Sequence, residues 1–304
     1  MRVTVSGASG FIGSRLVAHL DAQGHEVHLL GRAARKGMLA SARFSIWDAA
    51  AHEPPVEALE GADAVIHLSG EPVAQRWTPD VKRRIRASRV DSTRLLVDAL
   101  RKVNARPRVL VCASATGYYG DRGEETLTET STPGTGFLPE VCVEWERTAS
   151  RAREFGVRVV PVRTGMVLHP EGGALDQMLP PFRWGVGGRI GSGQQWMSWI
   201  HMTDMVRLLA HAAVTPGLDG SMNATSPNPV RNSEFTRTLG RTLRRPAILP
   251  VPEFLVGVLF GEMASVVTAS QRVTPRAALA SGFRFEQELL GPALAHLLVE
   301  KQAE

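Results

Sequence analysis

Short runs of β-branched and aliphatic residues alternate with longer stretches of helical period along the first half of the chain. The runs predict strands over residues 3–5, 27–30, 44–46, 64–68, 109–111 and 157–162. The stretches between them predict helices over 11–20, 79–103 and 139–155, the second with Thr78 as N-cap and Pro79 at its first position. This alternation is typical of an α/β fold, a Rossmann-type doubly wound parallel sheet with helices on both faces.

The regular alternation ends near residue 165. Residues 165–193 are rich in glycine and proline and longer than an ordinary connection, so we expect a functional loop region that contacts substrate. Further helices are predicted over 199–213, 232–243, 252–260 and 287–299, and strands over 220–224 and 247–250. We therefore expect a Rossmann domain over 1–224, with a loop-rich substrate insert at about 170–200, and a smaller C-terminal substrate lobe over 225–304.

Composition narrows the class of protein further. Hydrophobic types make up 43% of the 304 residues and charged types 21%, as in ordinary globular proteins. No apolar run approaches the roughly 18 residues of a membrane span, and no secretory signal precedes the first strand, so we expect a cytoplasmic protein without a membrane partner. Cys112 and Cys142 lie in apolar surroundings without ligand spacing, which predicts buried thiols and no metal site.

The charge balance argues against a nucleic-acid partner. The excess of 35 basic over 30 acidic residues gives only +5, although the run over 82–89 is locally basic. An anionic small ligand explains that run equally well. We expect a small-molecule substrate, and the oligomeric state stays open.

The segment 7-GASGFIG-13 follows the first predicted strand and begins the first helix, which is the context of a dinucleotide-binding fingerprint. Gly7 permits a tight turn, Gly10 lets the backbone approach a pyrophosphate, and Gly13 lets the helix pack on the strand. The helix N-terminus attracts phosphate. The segment therefore predicts a dinucleotide site, with a ligand-free glycine turn as the alternative.

The end of the second strand, 29-LLGR-32, decides between the two dinucleotides. An acidic residue there holds the ribose hydroxyls of NAD(H), whereas a basic residue accommodates the 2′-phosphate of NADP(H). Arg32 takes this position and Arg35 and Lys36 add positive charge, so the sequence favours NADP(H) over the alternative of a merely solvated arginine. Asp48, after the third strand, is a candidate acceptor for the adenine amino group or else a turn former.

Three segments resemble the extended short-chain dehydrogenase/reductase superfamily: 7-GASGFIG-13, 65-VIHLSG-70 and 114-SATGYYG-120. Six more resemble an atypical epimerase-like branch, sometimes labelled cell-division inhibitor SulA, with a small C-terminal domain of unknown function: 69-SGEPV-73, the segment over 77–89, 117-GYYG-120, 163-RTGMVL-168, 187-GGRIGSG-193 and 199-WIH-201. The resemblance covers nearly the whole chain. It implies NADP(H) contacts at the glycine loop, including Ser9, Phe11 and Ile12, and at Gly31, Arg32, Leu68, Ser69, Gly70, Arg89 and Val167.

The chain departs from that superfamily at the catalytic helix. Active relatives carry Tyr-x-x-x-Lys, in which lysine lowers the pKa of the tyrosine that moves the proton. The corresponding helix here is 141-VCVEWERTA-149, with Cys142 at the tyrosine position and Glu146 at the lysine position. A carboxylate one turn away raises the pKa of a thiol, which argues against a catalytic Cys142.

Other groups are candidates to replace the missing pair. The only tyrosines, Tyr118 and Tyr119, follow the fifth strand, where relatives carry a catalytic serine or threonine. Tyr118 is a candidate proton donor, or it lines the wall while Tyr119 packs. The loop is one residue longer than the usual family spelling, so Ser114 and Thr116 both stay candidates for the catalytic hydroxyl.

A mixture of aromatic and polar residues is expected across the cleft, where it suits a flat or anionic ligand. Its members are Phe182, Arg183, Trp184, Gln195, Trp196, Trp199 and His201. Core packing of the last two tryptophans and capping of the next helix by His201 are the alternatives. Two functions remain open: an NADP(H)-dependent epimerase-like oxidoreductase of unknown substrate, and an NADP(H)-binding sensor or regulatory protein without turnover.

Overall fold

The computed structural model describes residues 1–34 and 41–299. The strands in chain order are β1 (Arg2–Ser6), β2 (Glu26–Gly31), β3 (Arg43–Ile46), β4 (Ala64–His67), β5 (Val109–Ala115), β6 (Thr126–Leu127), β7 (Arg158–Thr164), β8 (Met166–Leu168), β9 (Trp196–Met197), β10 (Trp199–His201), β11 (Met222–Ala224), β12 (Val230–Arg231) and β13 (Arg272–Val273). The α-helices are α1 (Gly13–Ala22), α2 (Pro79–Lys102), α3 (Phe137–Ser150), α4 (Gly173–Arg183), α5 (Met202–Val214), α6 (Asn232–Thr242), α7 (Glu253–Phe260), α8 (Ala264–Thr268), α9 (Arg276–Ala280) and α10 (Leu290–Leu298).

Seven of the described strands form one parallel sheet in the order β11-β7-β5-β4-β1-β2-β3. Val3 of β1 pairs with Val27 of β2 on one side and with Ala64 of β4 on the other. The order reverses between β1 and β4, and ligands of doubly wound sheets bind outside the carboxyl ends of the strands at such a point. The predicted α/β fold is confirmed, and it places the cleft next to the glycine segment.

Helices cover both faces of the sheet, as the alternation predicted. On one face α1 and α5 bury Leu16 and Leu209 against the strands. On the other face α2 and α3 bury Leu96 and Trp145. The predicted N-cap of α2 is confirmed, because the Thr78 hydroxyl accepts a hydrogen bond from the third helical N–H at 3.3 Å.

The prediction of an irregular loop over 165–193 was wrong in part, since β8 and α4 lie within it. Pro180 and Pro181 are both inside α4, where the sequence indicated a break. Leu175, Leu179 and Phe182 follow the helical period and are buried in a third hydrophobic cluster. Tertiary packing of this apolar stripe therefore outweighs the local helix breakers.

Two other boundaries differ from the prediction. Residues 199–201 form β10, and the helix begins only at Met202. No strand forms over 247–250, where Ile248 and Leu249 are exposed and only the neighbouring Val251 makes an isolated bridge, to Ile190. A β-branched residue without a partner strand has no surface on which to pack, which explains the failed prediction.

The third hydrophobic cluster joins the segment after β7 to the C-terminal helices. Leu168 and Trp199 pack there with Phe235 of α6 and Leu294 of α10. Among the helices that the structure describes, none has the length and apolar character to cross a membrane.

Candidate functional site

The glycine segment turns sharply between β1 and α1. Gly7 has a φ of +71°, and a Cβ there would lie 2.7 Å from the carbonyl carbon of Leu68. A Cβ on Gly13 would lie 2.1 Å from the carbonyl oxygen of Gly7. Side chains at these two positions would collide with backbone, so the strand, the turn and the helix approach closely only because both are glycine.

The middle glycine of the segment, Gly10, is open to solvent. Gly10 is exposed, and a Cβ there would meet only the Gly7 carbonyl oxygen, at 3.1 Å. The neighbouring Ser9 is also exposed, while Phe11 and Ile12 are partly buried. Within residues 1–34 and 41–299, the N–H groups of Phe11 and Ile12 donate to no protein acceptor. Free N–H groups at a helix N-terminus beside an open backbone form a cradle that fits a pyrophosphate.

A connection after β8 packs onto this cradle, which the sequence analysis did not predict. A Cβ on Gly172 or Gly173 would meet the Phe11 ring at 2.6 or 3.0 Å. Arg15 of α1 donates to the buried His169 at 3.1 Å and to Glu171 at 3.0 Å. The glycine pair 172–173 within the predicted functional loop was the signal available in the sequence.

The end of β2 presents a basic side chain. Arg32 is exposed, and it makes no ion pair with any described residue. Gly31 lies beside the Phe44 ring. The carboxylate of Asp48 accepts the N–H of residue 50 at 3.1 Å, as a turn former does. Arg35 and Lys36 lie outside the described residues.

The end of β4 meets an arginine of α2. The guanidinium of Arg89 lies 3.5 Å from where a Cβ of Gly70 would be, and its centre is 5.3 Å from the Trp145 ring. Burial lowers the pKa of Arg89, which nonetheless stays a cation at neutral pH. Leu68 and Ser69 are partly buried at the same edge. A partly desolvated arginine here is suited to a nucleotide anion.

The rest of the basic run over 82–89 is neutralised by acidic side chains. Lys82 pairs with Glu262 and Arg86 pairs with Glu144. The pairs of Arg83 with Asp80 and of Arg84 with Glu71 complete the set. Of the arginines in the run, Arg89 alone lacks an ion-pair partner among the described residues, so this surface does not present a free basic stripe.

The lysine position of the missing catalytic pair holds a buried ion pair. Glu146 accepts hydrogen bonds from Arg163 Nε and Nη2, each at 2.8 Å, and the two side chains are 11% and 4% exposed. The Ser114 hydroxyl donates to the same carboxylate at 2.6 Å, and that of Ser221 at 3.2 Å. Ser114 is thus tied to the protein, whereas the buried Thr116 starts the short 3-10 turn Thr116–Tyr119 that follows β5.

Tyr119 belongs to the same internal network. Its hydroxyl donates to Asn223 Oδ1 at 2.7 Å and accepts from Arg163 at 3.0 Å. Burial raises the pKa of Tyr119 to about 12, against the opposite influence of Arg163. The packing role is therefore confirmed for Tyr119. An arginine inside the apolar strand 158-RVVPVRT-164 was the sequence signal for this network.

Tyr118 differs from its neighbour. Its ring is half-buried, and the Arg163 guanidinium carbon lies 3.5 Å from the ring centroid. Among the described residues no hydrogen bond holds the Tyr118 hydroxyl. The stack fixes the ring while the hydroxyl stays available.

Cys142, at the tyrosine position, is unsuited to proton transfer. Both cysteines are buried and reduced, as predicted. Burial, followed by the charge of Glu146, raises the pKa of Cys142 to about 12, so the thiol stays protonated at neutral pH.

The expected aromatic wall is only partly present. Phe182 and Trp199 are buried in the third hydrophobic cluster, and Trp184 is 82% exposed. The placement of Phe182 in the cleft was therefore wrong, and core packing, the alternative for Trp199, is confirmed, because the segments that carry them fold as a helix and a core strand. The stack that remains is Trp196, whose ring has the guanidinium carbons of Arg231 and Arg272 at 4.6 Å each.

His201 caps a helix, as the alternative interpretation held. Its Nδ1 accepts the N–H of Thr203 in the first turn of α5 at 3.0 Å. Its Nε2 lies 3.1 Å from Nδ1 of His296 in α10.

Val167, which the resemblance implicated in cofactor contact, is nearly buried beside the Gly173 turn. Among residues 1–34 and 41–299, no group of three or more His, Cys, Asp or Glu side chains is arranged to hold a metal.

Two family models match the chain. The model of the NAD dependent epimerase/dehydratase family matches residues 3–223. A domain of unknown function, DUF1731, matches residues 251–297. The first match covers more than half of the chain and includes the glycine segment, Arg32, the β5 loop and all but the two end residues of the seven-stranded sheet.

Individual proteins resemble the chain over nearly its full length. It is 42% identical over 302 residues to the epimerase family protein SDR39U1 homolog, chloroplastic, of Arabidopsis thaliana, covering 98% of this chain and 87% of that protein. It is 37% identical to the epimerase family protein YfhF of Bacillus subtilis, covering 99% of each. The human epimerase family protein SDR39U1 (isoform 2), whose crystal structure was determined with NADPH, superposes with a TM-score of 0.89 at 35% identity, covering 98% of this chain and 99% of that one.

Proposed function

Because the chain belongs to the NAD dependent epimerase/dehydratase family, we propose that it binds NADP(H) and acts as an epimerase-like oxidoreductase on a small carbonyl or hydroxyl compound. The observation that carries the cofactor proposal is the glycine cradle at the end of β1 together with the unpaired Arg32 at the end of β2. The human relative crystallised with NADPH supports the same choice.

The cradle divides the recognition of NADP(H) among several residues. The N–H groups of Phe11 and Ile12 would hold the pyrophosphate, and the Arg32 guanidinium would pair with the 2′-phosphate. Ser69, Gly70 and Arg89 line the inner part of the same edge. When bound, NADP(H) supplies the hydride donor or acceptor. The protein must then provide a proton donor for the substrate oxygen.

Tyr118 is the side chain that best meets this requirement. Cys142 keeps its proton at neutral pH, and the Ser114 hydroxyl donates its hydrogen bond to Glu146. The Tyr119 hydroxyl is buried and hydrogen-bonded to Asn223. Tyr118 has a fixed ring and an unengaged hydroxyl at the end of β5. Thr116 is the remaining hydroxyl of that turn.

A second function has its own support. The conversion of the lysine position into the buried Glu146–Arg163 pair removes the group that holds the nicotinamide ribose in active relatives. A protein that binds NADP(H) without turnover, as a sensor or regulatory protein, needs the cradle and Arg32 but no proton donor.

Cofactor choice is tested by calorimetry with NADPH and NADH. The contact of Arg32 with the 2′-phosphate is charge-assisted, worth about 1.5–3 kcal/mol, so Arg32→Ala should weaken NADPH about tenfold to a hundredfold and leave NADH nearly unchanged. Arg147→Ala, an exposed arginine of α3, is the matched control. Equal affinity of the unmodified protein for both dinucleotides would refute the proposal.

Turnover is tested by a screen of carbonyl compounds that follows NADPH oxidation. Tyr118→Phe removes one oxygen and keeps the stack on Arg163, so any rate found should fall about a hundredfold or more while cofactor affinity barely changes. An unchanged rate eliminates Tyr118 as the acid, and Thr116→Val then tests the other hydroxyl. A screen without any NADPH oxidation favours the non-catalytic function.

A further inference from the structure

The C-terminal end of α6 and the chain that follows it enclose an open cavity of about 270 Å³ that no part of the nucleotide site shares. Four of the residues that line it are arginines, and the others carry no charge. The lining consists of Arg237, Gly240, Arg241, Arg244, Arg245, Ala247 and Ile248. A concave surface with four cations and no anion has a strongly positive local potential.

The four arginines that line the cavity have no acidic partner in the part of the chain that the structure describes. Ion pairs satisfy arginines elsewhere on the surface, such as Arg83, Arg122 and Arg153. Within the described residues, no ion pair or side-chain hydrogen bond involves any of the four that line the cavity. Four cations without a counter-charge from the described residues therefore lie together at the end of one helix.

The local backbone is also unfavourable for an arginine. Helix α6 ends in a Schellman motif, in which Arg245 N–H donates to the Gly240 carbonyl at 2.9 Å and Arg244 N–H donates to the Arg241 carbonyl at 3.0 Å. The residue between the helix and Arg245 takes the left-handed conformation, for which glycine is preferred. Here that residue is Arg244, with a φ of 53°, the one non-glycine residue with positive φ in the described part of the chain.

Two features thus oppose stability at the same cavity. A side chain in the left-handed region is disfavoured relative to glycine, and Arg237 and Arg241 are like charges one helical turn apart. Favourable interaction of cations with the helix C-terminus explains one or two of the four arginines, but not the choice of arginine over glycine at 244. Local strain and unpaired charge together are typical of a binding site.

We propose that this cavity, hereafter the α6 arginine cavity, is a second anion site that binds a small molecule carrying two or more phosphate groups. Guanidinium groups match phosphate oxygens in geometry and charge, and four arginines at one cavity favour a ligand with several negative charges. The site is independent of the proposed dinucleotide cradle, because it shares no residue with it.

Calorimetric titration of the full chain with inorganic pyrophosphate, at fixed ionic strength, tests the proposal. Gly10→Val obstructs the glycine cradle, so pyrophosphate binding at the α6 arginine cavity should persist in that variant. In the same background Arg241→Gln and Arg244→Gly should each weaken pyrophosphate about tenfold or more. Arg147→Gln, an exposed arginine of α3 far from the cavity in sequence, should leave the affinity unchanged.

Thermal unfolding supplies an independent readout. Since glycine is preferred at the left-handed position, Arg244→Gly should raise the thermal midpoint by about 2 °C or more while it weakens the ligand. A merely structural arginine would lose stability on the same change. The proposal is overturned if Gly10→Val binds no pyrophosphate, if the two cavity variants bind it normally, or if Arg147→Gln weakens it equally.

Discussion

Glu146→Gln tests whether Glu146, at the position of the catalytic lysine in active relatives, forms a buried ion pair that stabilises the fold. The carboxylate receives two hydrogen bonds of 2.8 Å from Arg163 and two more from serine hydroxyls, and both partners of the ion pair are almost fully buried. The amide can accept at one oxygen only and turns its NH₂ group toward donors. The change therefore leaves Arg163 as a buried cation without a counter-charge.

Breaking a buried ion pair by removing one partner costs about 3–5 kcal/mol in free energy of unfolding. For a chain of this size, such a loss corresponds to a fall in the thermal midpoint of roughly 10 °C. Urea denaturation followed by circular dichroism measures the free energy. Asp98→Asn is the matched control, because its carboxylate lies 3.5 Å from Arg94 and 3.6 Å from Arg151 on the surface.

We expect the surface control to cost less than about 1 kcal/mol. Replacing both buried partners, as Glu146→Leu with Arg163→Met, should recover much of the loss, since no uncompensated charge remains. A loss below about 1 kcal/mol for Glu146→Gln would refute the reasoning, because it would mean that water reaches Arg163.

Further predictions concern the buried His67 and the glycines of the cradle. Burial lowers the pKa of His67 to about 4 from 6.5, so the unfolded chain binds more protons between these values, and stability should fall by up to about 3 kcal/mol as the pH drops from 6.5 to 4. Urea denaturation across that range should show a shallower pH dependence for His67→Gln, and identical slopes would contradict the assignment. Gly10→Val should abolish NADPH binding in calorimetry and keep the thermal midpoint, whereas Gly13→Ala, whose Cβ would lie 2.1 Å from the Gly7 oxygen, should lower the midpoint itself. Normal NADPH affinity in Gly10→Val would remove the cradle from the proposed function.

The sequence predicts the sheet and its covering helices because each element carries its own signal. β1 and β5 are short runs that contain β-branched and aliphatic residues, and α2 has a capping threonine, a proline at its first position and a regular apolar stripe. Such signals lie within a few residues of one another. They failed in α4, where prolines and glycines indicate a break that only packing against Trp199 and Phe235 overrides.

The candidate site could be predicted only where it is local. The glycine segment and Arg32 stand at fixed offsets from predicted strands, so their joint position follows from the fold class. The internal network does not, since Tyr119 and Asn223 are 104 residues apart and meet only in the folded sheet. The pairing of Glu146 with Arg163 likewise depends on the packing of α3 against β7, and no residue spacing in the sequence predicts it.

The network of Glu146, Arg163 and Tyr119 bears on turnover through one contact, the stack of Arg163 on the Tyr118 ring. In active relatives a lysine places positive charge beside the catalytic phenol. Here the lysine position is an acid, but Arg163 neutralises it and stacks on Tyr118 with its guanidinium carbon 3.5 Å from the ring centroid. The ring of Tyr118 therefore lies against a guanidinium supplied from β7, whose charge Glu146 balances. If the chain is an enzyme, this stack holds the Tyr118 ring in place while its hydroxyl reaches the substrate, and if it is a sensor, the stack is only packing at the end of β5.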